Sequence, residues 1–186
     1  MSDATHNRYL ELAREVVEMY PSPTTILKTD CWNEATDFGP FPDATYYIDV
    51  NAERVAEARR RYPNSRFDVA DIRTVTLPDA SLDVILDFST LDHIPDPATA
   101  LDNYLRMLRP RGRLLLMVWL ADGPTAALEQ GTDGDRQYWF SATEFFGHVQ
   151  SRFSVERFIN FPETHNADWI PNRNENRWLQ GFIACK

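Results

Sequence analysis

The stretch LPDASLDVILDFSTLDHIPDPATALDNYLRMLRPRGRLLLMVW, Leu77 to Trp119, decides how the rest of the chain is read. Leu82–Ser89 is almost continuously apolar and strand-sized. Ala98–Leu108 follows with Leu101, Tyr104, Leu105 and Leu108 at helical spacing. Pro110 and Gly112 punctuate its end. Arg113–Leu120 is then apolar on both faces. Strands without alternation belong in a sheet covered on both sides, which usually means parallel strands with helices on each face.

Working outward gives the same pattern. Asn7–Tyr20 carries Tyr9, Leu12, Ala13, Val16, Val17 and Tyr20 on one helical stripe, stopped by Pro21 and Pro23. Thr25–Thr29, Ala44–Val50 and Arg66–Ala70 read as short strands. Ala52–Tyr62 reads as a helix ended by Pro63. Downstream, Ala121–Arg136 is rich in Gly, Asp and Thr and reads as a loop. Ser141-Ala-Thr-Glu144 fits a capping box that opens a short helix. Phe153–Phe161 and Asn176–Cys185 read as an antiparallel pair at the sheet edge, joined by a polar loop, Pro162–Glu175. The expectation is one α/β, Rossmann-like domain over residues 1–186, with a mostly parallel sheet and helices on both faces.

Composition narrows the function classes. With 43% hydrophobic and 25% charged residues the chain suits a globular domain, and 186 residues bury one good core. A net charge of −9 disfavours a nucleic-acid backbone as partner. The two cysteines, Cys31 and Cys185, form neither a metal-ligand spacing nor a disulfide framework. No segment approaches the ~20 apolar residues of a membrane span, and the N-terminus lacks a secretory pattern. The expected setting is the cytoplasm, with no membrane and no metal.

Acids at strand ends carry the chemistry. Asp49 closes the strand of Ala44–Val50 just before a helix, where ligands of open α/β sheets bind. A carboxylate there can accept both hydroxyls of a ribose, or Asp49 and Asn51 can simply cap the helix. Asp71 ends the next strand and is followed by Ile72; this pair suits an adenine amine and ring, or is an ordinary loop aspartate with its neighbour. Asp87 interrupts an otherwise apolar strand. Asp92 and His93 follow it, and a histidine there can serve as a general base or simply pack.

The whole of Leu77–Leu120 resembles class I S-adenosylmethionine (SAM)-dependent methyltransferases. The resemblance rests on Leu77-Pro78-Asp79, Leu82-Asp83-Val84, Leu91-Asp92-His93-Ile94, Arg106-Met107-Leu108-Arg109-Pro110 and Gly112. It extends from about Thr25 to Leu120. It implies SAM as cofactor, with Asp49 at the ribose and Asp71 and Ile72 at the adenine. It implies methyl transfer to an O- or N-nucleophile of a small metabolite, sugar-like or otherwise polar, with Asp92 and His93 as candidate catalytic residues. A homodimer or partner protein would cover an open site.

The departure from the family is at its first motif. A glycine-rich loop normally follows the first strand and lets the backbone approach the cofactor. Here the segment is Ile26-Leu27-Lys28-Thr29-Asp30-Cys31-Trp32-Asn33-Glu34. Lys28 stands where an acid is expected; Asp30, Trp32 and Glu34 stand where glycines are expected. In one reading the loop is rebuilt: Asp30, Glu34 or Asp87 holds the ammonium of SAM, and Lys28 is satisfied by a carboxylate. In the other, Lys28 or Trp32 fills that volume, and the protein is an inactive relative that binds a nucleoside or a protein partner. The density of functional side chains favours the rebuilt site. Tyr138-Trp139-Phe140 and His165–Arg177 are candidate substrate walls.

Overall fold

A computed structural model describes residues 3–36, 45–130, 135–164 and 176–186. Its elements are α1 (Asp3–Glu18), β1 (Ile26–Lys28), α2 (Trp32–Ala35), β2 (Tyr46–Asp49), α3 (Ala52–Arg61), β3 (Phe67–Val69) and β4 (Leu82–Phe88). These are followed by α4 (Pro97–Met107), β5 (Leu108–Ala121), β6 (Ala126–Gln130), β7 (Asp135–Ser141), α5 (Ala142–Gln150), β8 (Ser154–Asn160) and β9 (Arg177–Cys185). Single 3-10 turns occupy Leu91–His93 and Pro162–Thr164.

The first five strands are parallel in the order β3-β2-β1-β4-β5. Chain order reverses between β1 and β4, which makes the carboxyl ends of these two strands the switch point where ligands of such sheets bind. β9 runs antiparallel along β5 from Arg113 to Ala121, and β8 runs antiparallel to β9. The fold is therefore the expected mostly parallel sheet with an antiparallel pair. β8 is the outer strand of this pair and β9 the inner one, with Leu179, Phe182 and Ile183 all buried.

Packing follows the apolar pattern of the chain. On one face, Tyr9, Leu12 and Val16 of α1 and Val55 and Ala58 of α3 meet Leu86, Met117 and Trp119. On the other, Leu101, Tyr104 and Met107 of α4 and Phe145 and Val149 of α5 meet Ile85, Leu114 and Leu116. Local signals fix the helix starts. Asn51 caps α3 by accepting from Arg54 N at 3.0 Å, and Asp96 caps α4 by accepting from Ala98 N at 3.1 Å. Gly112 is needed where the chain enters the apolar part of β5: a Cβ there would lie 2.9 Å from the Arg109 carbonyl oxygen.

Two expectations are corrected. The region read as a loop, 121–136, contains β6 and the start of β7, an antiparallel hairpin. Polar composition is only a correlate of loops. β7 pairs with β5 at Leu120 and Ala121, past the last β4–β5 pair at Phe88 and Met117. Since β9 occupies the other edge of β5, the hairpin sits beyond the carboxyl end of β4. The capping box at Ser141 is also replaced. Ser141 makes no side-chain cap bond; instead Thr125 Oγ1 accepts from Ser141 N at 3.0 Å and bonds Glu144 at 3.3 Å. Among the described residues, no helix is long and apolar enough to cross a membrane.

Candidate cofactor site

The end of β1 carries a buried ionic cluster. Lys28 is completely enclosed, and its Nζ donates to Asp30 Oδ1 at 3.0 Å, to the Asp30 carbonyl at 2.9 Å and to Glu34 Oε2 at 3.1 Å. All three ammonium donors are used. Burial alone would lower the Lys28 pKa, but the charges of Asp30 and Glu34 outweigh it and hold the group well above its usual value. The 4-residue α2 exists to place Glu34, which is also fully buried. Asp30 Oδ1 additionally accepts from Trp32 N at 2.9 Å. Its other oxygen, Oδ2, is buried and has no hydrogen-bond partner among the described residues.

Asp49 joins this loop from β2. Its Oδ2 accepts from Cys31 N at 3.0 Å, its Oδ1 accepts from Asn51 N at 2.8 Å, and Arg54 lies 3.7 Å away. The helix cap is Asn51, so Asp49 is not consumed in that role. It ties the end of β2 to the loop after β1, with a second lone pair left on each oxygen.

From β4, Asp87 is fully buried, accepting from Tyr104 Oη at 2.5 Å and Thr90 N at 2.9 Å. Burial pushes its carboxyl up to about 7. Tyr9 of α1 stacks on Phe88 at 4.2 Å, and its hydroxyl pKa is raised by burial and by the charges of Asp30, Asp87 and Glu34. His6 meets the Asn33 side-chain nitrogen at 2.9 Å. The first turns of α1 thus pack over the cluster. Trp32 is 40% exposed and does not fill it.

The structure brings together Lys28, Asp30, Glu34 and Asp87, with Asp49 attached through Cys31. It treats the other candidates differently. Asp71 is gripped by its own neighbour: Arg73 Nε lies 3.0 Å from both carboxylate oxygens and Nη2 2.5 Å from Oδ2, and this bonding holds the carboxyl below its usual range. Ile72 turns into the core and is 3% exposed, so its side chain does not present an open ring-stacking surface. Val50 and Val69 do: they are 69% and 51% exposed, and Val69 pairs in register with Asp49. Sequence reasoning passed over both; for Val50 the signal was an apolar residue directly after the strand-end acid Asp49.

Asp92 is a brace. One oxygen accepts from Trp119 N at 3.0 Å and the other from Ser89 Oγ, whose residue adopts a left-handed φ of 62° at the end of β4. Burial raises this carboxyl to about 8. With both oxygens engaged and no exposure, Asp92 does not present a base to a substrate, whereas His93 is on the surface. Of the candidate substrate walls, Tyr138–Phe140 lie in β7, Arg177 starts β9, and residues 165–175 lie outside the described residues. A cavity of about 510 Å³ lined by Val17, Tyr20, Pro23 and Thr24 lies at the amino end of β1, away from this chemistry.

A family model described as a methyltransferase domain matches residues 33–116. The strand order and the acid-rich carboxyl edge agree with that match. Residues 33–116 of the chain are similar to that methyltransferase family, over somewhat less than half of its length. A trans-aconitate 2-methyltransferase of Azoarcus is 32% identical to this chain over 115 residues, 61% of this chain and 42% of the relative. A bovine protein named EEF1A lysine methyltransferase 4 is 33% identical over 112 residues, 48% of this chain and 44% of the relative. The chain spans less than half the length of these curated relatives. Among solved structures, the 1,6-didemethyltoxoflavin-N1-methyltransferase of Burkholderia thailandensis matches with a TM-score of 0.65 and 19% identity. That match covers 96% of this chain and 78% of that one, and the structure contains S-adenosylhomocysteine.

Proposed function

We propose that the chain binds SAM at the carboxyl ends of β1 and β2 and transfers its methyl group to an oxygen or nitrogen of a small polar metabolite. The observation that carries this reading is the Asp30 carboxylate: one oxygen is fixed by Lys28 and Trp32 N, and the other is buried without a hydrogen-bond partner among the described residues. A buried acceptor of this kind is costly unless a ligand meets it. Among the described residues, two carboxylates, Asp30 and Glu34, meet the single ammonium of Lys28. That chemistry fits a cation, and SAM carries an ammonium and a sulfonium.

The residues divide the cofactor between them. Asp30 holds the ammonium. Asp49, with a free lone pair on each oxygen, accepts the ribose hydroxyls. Val50 and Val69 offer an exposed apolar surface to the adenine, with Asp71 at its edge. The cofactor supplies a methyl group on a positively charged sulfur, already activated to leave. The protein's work is then to position the nucleophile and to keep water out. The apolar enclosure of Phe88, Tyr9 and Trp119 serves the second purpose. Trans-aconitate and didemethyltoxoflavin in the names of relatives support a small-molecule acceptor.

Calorimetric titration tests the reading. S-adenosylhomocysteine should bind clearly more tightly than adenosine, and NAD should not bind. Asp30→Asn, which keeps the shape and removes the charge, should narrow the gap between the first two ligands by roughly tenfold, the scale of one charge-assisted hydrogen bond. Equal affinity for adenosine and S-adenosylhomocysteine, or no binding of either, would refute it in favour of a non-catalytic relative.

A further inference from the structure

We propose that a cation bound at Asp30 drives a proton off Asp87, so that cofactor binding is linked to pH. The inference rests on the methyltransferase reading above and adds a regulation of that same site. Register brings the two acids to neighbouring strand ends. Lys28 of β1 pairs with Leu86 of β4, and Thr29 N donates to the Leu86 carbonyl at 3.1 Å. Asp87 directly follows this last pair on β4, and Asp30 lies two residues past it on β1. The charges of both act on the hydroxyl of Tyr9, whose ring stacks on Phe88, the residue after Asp87.

The two acids differ in what they touch. Asp30 meets the Lys28 ammonium, whereas the fully buried Asp87 is bonded only by neutral donors among the described residues, Tyr104 Oη at 2.5 Å and Thr90 N at 2.9 Å. A buried carboxyl without a cation favours its protonated form. Burial, with the charge of Asp30 adding to it, lifts Asp87 to about 7 against those bonds. An ammonium at Asp30 Oδ2 cancels the charge of Asp30 as felt at Asp87 and adds its own attraction. Both effects favour ionised Asp87, so cation and proton compete. The other titratable groups of the surrounding elements act differently. Tyr9 of α1 and Tyr104 of α4 have pKa values raised by burial and stay neutral. Lys28 of β1 stays charged, and Glu34 of α2 is paired with it. In the turn after β4, Asp92 feels Asp87, and its own bonds run to Ser89 and Trp119 N. His6 of α1 meets Asn33 at 2.9 Å and the Phe88 ring at 5.7 Å, and its residue type titrates near neutral pH. The test must therefore separate Asp87 from Asp92 and His6.

The full chain is titrated calorimetrically with S-adenosylhomocysteine between pH 5.5 and 7.5, and at pH 7 in two buffers of different ionisation enthalpy, which counts the protons exchanged. If binding lowers the Asp87 pKa by about one unit from about 7, roughly 0.4 proton should be released at pH 7. Affinity should rise roughly sixfold from pH 5.5 to 7.5. A titrating ligand amine would take a proton up on binding, the opposite sign. Adenosine lacks the ammonium and should show neither effect. Asp87→Asn keeps the shape and should abolish both. Tyr104→Phe removes a bond that favours the ionised form, so it should move the pH dependence upward; it remains informative if Asp87→Asn fails to fold. Asp92→Asn and His6→Gln should retain both effects. The proposal is overturned if S-adenosylhomocysteine binds without proton release or if adenosine releases as much. It is also overturned if release persists in Asp87→Asn or vanishes in His6→Gln. In each of these cases S-adenosylhomocysteine still binds the parent chain, so the methyltransferase reading stands. No binding of S-adenosylhomocysteine at any pH overturns both.

Discussion

Replacing Lys28 by Met separates a rebuilt loop from a decorative one. Methionine follows the course of the lysine stem, so packing is kept and the change is electrostatic. The substitution removes the only ammonium that touches Asp30 Oδ1 and Glu34 Oε2, at 3.0 and 3.1 Å. Glu34 is completely buried and the Asp30 side chain is 14% exposed, so neither carboxylate gains water in exchange. Breaking a buried pair from one side typically costs about 3–5 kcal/mol. With two acids stranded, a loss near the top of that range, roughly 5 kcal/mol at pH 7, is expected. Against the usual 5–15 kcal/mol of a domain, that leaves the variant marginal. Urea denaturation of the parent, Lys28→Met and Lys28→Met/Glu34→Gln measures it, and the double variant should recover at least about 2 kcal/mol because one stranded charge is gone. The pH dependence carries a sign. The folded-state pKa of Lys28 is raised, so its contribution is fully present below the ordinary lysine value and is lost only as pH rises through the higher one. In the parent it is therefore constant between pH 5 and 8. In Lys28→Met the stranded acids gain protons more readily, so the deficit should shrink toward pH 5. A loss below about 1 kcal/mol, or no recovery in the double variant, would refute the account of the cluster.

Two further outcomes follow from the buried carboxyls. Asp87 and Asp92 are raised by burial to about 7 and about 8, so the folded state holds more protons than the unfolded state between the ordinary carboxylate range and those values. Stability should therefore fall as pH rises from about 4 to 8, and Asp92→Asn should flatten that slope in urea titrations at several pH values; a pH-independent parent would contradict it. Asp49→Ala removes the acceptor for Cys31 N and Asn51 N, costing roughly 2–4 kcal/mol of stability, and it should also weaken S-adenosylhomocysteine binding by at least about tenfold. A stability loss with unchanged affinity would reduce Asp49 to a tie between β2 and the loop.

The parallel half of the fold was legible because its strands are apolar on both faces and its helices are punctuated by Pro, Asn and Asp at their ends. The elements α3, β4 and α4 lie within a residue or two of their expected bounds. What sequence could not supply was tertiary competition. The β6–β7 hairpin forms because the edge of β5 is exposed past Met117, a fact of register and not of composition. Asp92 looked like a candidate beside His93, but its carboxylate is drawn inward by Trp119 N, 27 residues away, and by Ser89, whose left-handed backbone no sequence pattern announced. Ile72 is claimed by the core while Val50 stays exposed, because Ile72 lies in the turn after β3 and its direction is set by packing, which no strand pattern in the sequence records.

The loop at 28–34 shows how a charge pattern can replace a conformational one. Glycines allow close backbone approach because they have no Cβ. A chain that places Asp30, Trp32 and Glu34 there loses that approach and must offer something at the same level. Lysine at position 28 makes the substitution self-consistent: without it both acids would lose the ammonium they share, and with two acids it has no reason to lose its proton. Lys28 nevertheless neutralises only one of the two acids, and it contacts only one oxygen of Asp30. The cluster is thus complete as a structural element and incomplete as a charge balance. A relic under selection for stability alone would more readily exchange such a buried triad for apolar side chains, which fill the same volume at no electrostatic cost. Two carboxylates meeting one ammonium at these strand ends is the arrangement on which the proposed binding of a cationic cofactor depends.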